Sequence, residues 1–221
     1  MIARRIFMGA GGAEITIGTA TSAVSGTNGT SFTFSSQGIG DAAANRMILI
    51  GVGVGGGSAG NITGVTVGGA SATLLKAGTI DGETRGDIYA YEIASGTTAN
   101  IVVNAESSKG FCGIVVLPVY GASVTPVDTA FSNANPGTDT IDVSAGGLVF
   151  GYQIVGSGTD RTFTWTNLDE LIDETVETAN GTHSAAATIF SAADTGKTIT
   201  CTPSGSTGLG ENMVAVSLEV A

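Results

Sequence analysis

The segment Asn61 to Ala77, NITGVTVGGASATLLKA, constrains this chain more than any other stretch. Val65 and Val67 alternate with Gly64 and Thr66, a Gly68-Gly69 pair follows, and the alternation resumes through Ala72 and Leu74, which reads as a β-hairpin. The same grammar recurs along the chain. It predicts strands at Glu14 to Ile17, Ser31 to Ser35, Arg46 to Val54, Ile62 to Val67, Ala72 to Lys76, Asp87 to Ile93, Asn100 to Asn104 and Phe111 to Val119. A second series covers Thr140 to Val143, Leu148 to Val155, Thr162 to Thr166, Leu171 to Val176, Ser184 to Phe190, Thr198 to Thr202 and Asn212 to Val220. Turn signals separate them at the short spacing of sandwiches and barrels. The expected class is all-β, an antiparallel β-sandwich with nearly no helix.

Three segments refine this picture. FCGIVVLPV and RMILIGVGV are apolar on both faces and belong in the middle of a sandwich or against a neighbouring subunit. In the last strand Val214, Val216, Leu218 and Val220 share a face, which predicts one wet side. Phe163 and Trp165 alternate with threonines, making Trp165 a core anchor. NLDELIDETVETA has helical spacing at Leu168, Leu171, Ile172 and Val176, but its β neighbours favour a strand. Residues 119–140 hold two of the four prolines and are either a joint between two halves or a long cross-over within one sandwich.

Composition narrows the function classes. With 221 residues, one large all-β domain or two small sandwiches are open. Charged residues are only 12% against 42% hydrophobic, which excludes ordinary disorder and implies much hidden surface. The net charge of -11 argues against nucleic acid as a partner. No run approaches the roughly 20 apolar residues of a membrane helix, and MIARRIF lacks a signal-peptide core. A soluble chain made in the cytosol is expected, with no membrane partner. Cys112 and Cys201 are too few for a disulfide framework or a zinc site and read as buried free thiols, with pairing open if their strands are neighbours. The Asn-x-Thr triplets at Asn28, Asn61 and Asn180 read as turns.

No motif builds a reaction centre. Gly51, Gly53 and Gly56 match G-x-G-x-x-G, yet another strand follows where a nucleotide site needs a helix N-terminus, so these glycines mark a strand end with close backbone packing. His183 is the sole histidine, with no nucleophile elbow in the chain, and reads as a strand-edge or surface residue. Asp169, Glu170, Asp173 and Glu174 are adjacent acids on one segment, a solvated face more than a glycosidase pair or calcium loop. Asp139 with Asp142, and Asp81 with Glu83, are weaker pairs. Tyr89, Tyr91 and Asp87 share a strand face, a thin case for a carbohydrate platform against the plainer reading of an intersheet or intersubunit contact. No catalytic residue, cofactor or metal site is assigned.

The ordered segments RMILIGVGV, VTVGGASAT, IYAYEIASGTTANIVV, VSAGGLVF, TFTW and MVAVSLE, spanning Arg46 to Val220, resemble jelly-roll virion proteins that tailed bacteriophages carry as capsid decoration or cement proteins, or as head or tail appendages. The resemblance implies a jelly-roll-like sandwich and a virion structural protein without enzymatic activity. Its expected partner is the major capsid protein or another virion protein, and a homo-oligomer, guessed as a trimer, is expected on the outside of the head. A fibre module recognising host glycans is the alternative. Residues 1–13 then read as an attachment arm ahead of the sandwich at 14–221. Arg4, Arg5, Ile6, Phe7 and Met8 in it combine two of only eight basic residues with apolar groups suited to an acidic, partly apolar surface. A plain first strand explains them equally well.

Overall fold

The computed structural model describes residues 14–156, 161–177, 181–205 and 210–221. All its regular elements are strands: β1 (Thr16–Ile17), β2 (Thr21–Ser25), β3 (Gly29–Gly38), β4 (Arg46–Gly55), β5 (Ile62–Val67), β6 (Ala70–Ser71), β7 (Thr73–Ala77), β8 (Arg85–Glu92), β9 (Thr98–Lys109) and β10 (Phe111–Tyr120). After residues 121–127 come β11 (Asp128–Ser132), β12 (Gly137–Val143), β13 (Leu148–Gly156), β14 (Phe163–Thr166), β15 (Asp169–Glu177), β16 (Gly181–Ile189), β17 (Asp194–Pro203) and β18 (Glu211–Leu218). Every pairing is antiparallel, and the expected all-β sandwich class holds.

The hairpin that opens the analysis forms as expected at its turn, where Gly68 and Gly69 take φ of 59° and 89°, values that favour glycine. Its second arm departs from the expectation. Only Ala70 and Ser71 pair back onto β5, and the chain then crosses to another sheet, where β7 pairs with β8. Three strands escaped the sequence reading: the two-residue β6, and β2 and β11, each a short Ser/Thr/Ala-rich run without clean alternation. The acidic segment NLDELIDETVETA forms β15 and no helix.

The strands make four sheets. A large sheet ordered β10-β4-β8-β7, with β1 and β2 on the free side of β10, packs on a small sheet ordered β3-β9-β5-β6. A second large sheet ordered β11-β18-β13-β16-β15 packs on a small sheet ordered β12-β17-β14. Three apolar layers separate the four sheets. One lies inside the first sandwich, with Phe32, Ile50, Val65 and Ile114; another lies inside the second, with Val149, Trp165, Ile199 and Ala215. The third joins the two large sheets through Leu49, Ile88, Leu117, Phe150, Tyr152 and Val216. At roughly 10 Å per layer the stack is about 30 Å from first sheet to last.

This arrangement explains the two-sided apolar strands: β4 and β10 are buried on both faces because another sheet covers each face. It also corrects the reading of the last strand. All eight residues of β18 are buried, since Val214, Val216 and Leu218 face the other large sheet while Met213 and Ala215 face the small one. Alternating polarity fails as a signal there because Ser217 and Asn212, the polar members, are themselves buried.

The two sandwiches share one plan. Numbering each from its first long strand, β2 and β11, and counting the split strand β6–β7 as one, both large sheets run 1-8-3-6-5, and both small sheets hold 2-7-4. Registers agree row by row. Leu117, Leu49, Ala90 and Thr73 lie side by side in one large sheet, as Val216, Phe150, Ala187 and Asp169 do in the other. Even a bulge repeats, between Leu74 and Lys76 of β7 and between Glu170 and Ile172 of β15. The large sheets meet with β4 over β13, β8 over β18 and β10 over β16, the reciprocal contacts of a pseudo-twofold axis running along the strands.

Candidate functional site

Along that axis the two halves differ in size. Gly51 and Gly53 of β4, Gly86 of β8 and Gly113 of β10 form a bare backbone surface on the first large sheet. The register-matched positions on the second sheet are Tyr152, Ile154, His183 and Asn212. A Cβ on Gly51 would lie 2.4 Å from the Tyr152 ring, and one on Gly53 would lie 2.5 Å from its hydroxyl and 2.8 Å from Ile154. The glycines of GVGVGG thus admit a neighbour's side chains, the close packing expected from the sequence, and the neighbour is the other half of the same chain.

The second large sheet also carries the chain's single histidine. The expectation of an edge or surface residue is overturned: His183 is fully buried on β16, an interior strand between β13 and β15. The run around it is buried from Gly181 to Ala187, which its small polar and alanine residues did not announce. Tyr152 Oη lies 3.0 Å from His183 Nδ1 and 3.4 Å from the Gly113 carbonyl oxygen. The two rings meet edge to face at 5.7 Å. On its far side His183 Nε2 is 3.6 Å from Glu174 Oε2, and this neighbour holds the Glu174 carboxyl below its ordinary range against the opposing effect of burial. Burial drives the Tyr152 phenol well up. Such a Tyr-His-Glu chain has the groups of a proton relay, but both rings are sealed between sheets, so reagents reach it only by parting the halves. What it does in place is tie β13, β15 and β16 together at the interface.

The other candidates separate. Three of the four adjacent carboxylates are occupied singly: Asp169 accepts from the Thr188 hydroxyl at 3.0 Å, Asp173 accepts from the Phe163 amide at 3.0 Å, and Glu174 faces His183. Asp139 and Asp142 accept from the amides of Phe131 and Gly196, and Asp81 from that of Glu211. Among the described residues no cluster of histidine, cysteine and acid side chains is placed to hold a metal. Cys112 and Cys201 are buried free thiols in different sandwiches.

Tyr89 and Asp87 form a structural spine. Asp87 is fully buried, 2.9 Å from Arg85 Nε and 3.0 Å from the Gly78 amide; burial raises its carboxyl and Arg85 opposes the rise. Tyr89, only 3% exposed, packs between the sheets of the first sandwich. The intersheet reading therefore fits these tyrosines. Tyr89 nevertheless floors a groove of about 420 Å³ between β5 and the β6–β7 crossing, lined also by Ile62, Gly64, Val65, Ala72 and Leu74. Residue pattern alone did not announce it, because the chain's departure from the hairpin opens it. Arg4, Arg5, Ile6, Phe7 and Met8, the residues expected to dock on a partner, lie outside the described residues.

Comparison with protein families, with curated proteins and with solved structures finds no match for this chain.

Proposed function

We propose that this chain is a structural protein of a tailed-phage particle, in the role of a capsid decoration or cement protein on the outer surface of the head. The observation that carries the reading is the duplicated sandwich. Strand order 1-8-3-6 in one sheet and 2-7-4 in the other, with β6, the first part of the split fifth strand, completing the first small sheet, supports taking each half as a jelly roll. Two such units fused through buried large sheets make a stiff block with outer sheet faces left for contacts. Ser31, Thr33, Asn100, Thr138, Thr164 and Thr198 are exposed on those faces, uncharged and suited to broad contact more than to chemistry. A glycan-recognising fibre module has less support, because an aromatic platform must be exposed and Tyr89 is not. The major capsid protein is the partner proposed, and a homo-oligomer the assembly state.

Purified particles decide between these readings. A decoration protein is present in copy numbers scaling with capsid subunits, and gold-labelled copies lie over the head. A few copies per particle, or label confined to the tail, sink the decoration reading.

A further inference from the structure

The two halves close their sandwiches differently at one edge. In the second, β14 is flanked by a cross-over whose Leu168 is buried against the position of Gly151, and the Asp173 carboxylate from β15 accepts the Phe163 amide at the outer edge of β14. Register places the counterparts in the first half. Thr73 pairs with Ala90 as Asp169 pairs with Ala187, and Ala77 pairs with Asp87 as Asp173 pairs with Ser184. Leu168 therefore corresponds to Ala72, and Asp173 to Ala77. Both closing groups are alanines in the first half.

The consequence is an open strand edge beside an open groove. β6 covers β5 only at Thr66 and Val67, with one further bond from the Ala72 amide to the Val65 carbonyl at 2.8 Å. Upstream, Thr63 is the extra residue of a bulge opposite Asn104 and Ala105 and pairs with neither. No atom lies within 4 Å of where a Gly64 Cβ would stand. Ala72, Leu74 and Tyr89 line the groove at this edge, no charged side chain lines it, and Leu74 on its rim is 46% exposed.

We propose that the β5 edge binds an extended, uncharged segment of a partner protein by strand addition, continuing the line of β6 and seating a leucine-sized side chain in the groove at Ala72. Main-chain hydrogen bonds hold such a segment and the groove selects its side chain. The second half carries a leucine at the matched position: Leu168 stands where Ala72 stands in the first. The inference is independent of the particle assignment.

The probe is a fluorescein-labelled heptapeptide alternating serine with leucine and valine, titrated into the full chain and read by anisotropy. Saturable binding is expected. Ala72→Leu, which copies the closed half, and Thr63→Pro, which stiffens the bulge of the edge strand where proline is tolerated, should each weaken it by roughly tenfold, the worth of about one hydrogen bond or one side-chain seat. Leu74→Ser on the exposed rim should weaken it too and serves if either variant fails to fold. Thr138→Lys, on the far small sheet, should leave it unchanged. Absence of saturable binding overturns the proposal, as does binding indifferent to Ala72→Leu and Leu74→Ser. Self-association of the unmodified chain that Ala72→Leu abolishes overturns the assigned occupant and places a second copy there.

Discussion

In the first half the interface row reads Gly113, Gly53 and Gly86; in the second, the same row of the same sheet order reads Asn212, Ile154 and His183. Backbone pairing does not distinguish these rows, since registers and even a bulge coincide. Side-chain volume does. Two copies of the first half would leave a hollow along the axis, and two copies of the second would drive Tyr152 against Tyr152. Only the unlike pair fills the space, so the duplicated fold has become a specific partnership of two different surfaces.

Inside the sandwiches the difference is again one of volume. Phe32, Val103 and Val65 lie side by side in one small sheet, and Gly137, Cys201 and Trp165 in the other. The second half thus concentrates its bulk in one indole, whose nitrogen donates to Ser184 Oγ at 2.8 Å, while the first spreads it over Phe32, Val65 and Ile50. Trp165→Ala should cost roughly 3–5 kcal/mol in denaturant unfolding, and Val65→Ala clearly less. Equal losses would break the contrast. Native fluorescence from this tryptophan should be blue-shifted and poorly quenched.

A smaller effect is expected at Gly151. Its added Cβ would lie 2.8 Å from the Trp165 ring and 3.0 Å from Leu168, both within its own half, so Gly151→Ala should cost about 1–3 kcal/mol through overpacking. Trp165→Ala should relieve that loss and Tyr152→Ala should not. A loss relieved by Tyr152→Ala would mean that the faces of β13 are assigned the wrong way round.

The smallest effect is electrostatic. Because Glu174 is held below its ordinary value of 4.5 when folded, it adds stability above that value which is lost as pH falls through the folded one. Glu170 and Asp173 are raised by burial and work in the opposite sense, so the difference between variants is the readable quantity. Glu174→Gln should be slightly less stable at neutral pH, with the gap closing below about pH 4.5. A gap that widens on acidification reverses the sign and removes His183 as the cause.

The strands were legible because alternation and turn residues report local geometry: Phe163 and Trp165 announced a buried face, and Gly68-Gly69 announced its turn. What a second sheet covers was half legible. RMILIGVGV is apolar on both faces and was readable as doubly buried, whereas ENMVAVSL carries Asn212 and Ser217 into the interior and concealed it. The duplication was not legible, since complementary packing made matched positions unlike, glycine against tyrosine and glycine against histidine. His183 was misplaced because the groups that enclose it come from other strands, Tyr152 of β13 and Glu174 of β15.

The interlock itself is tested most directly by a double-mutant cycle on Gly51→Ala and Tyr152→Ala, read by denaturant unfolding. With Tyr152 present, the Gly51 methyl meets its ring and should cost on the order of 2 kcal/mol; with Tyr152→Ala it should cost little, giving a coupling of roughly 1–3 kcal/mol. Additive losses, with no coupling between the two positions, would contradict the packing of the two halves described above.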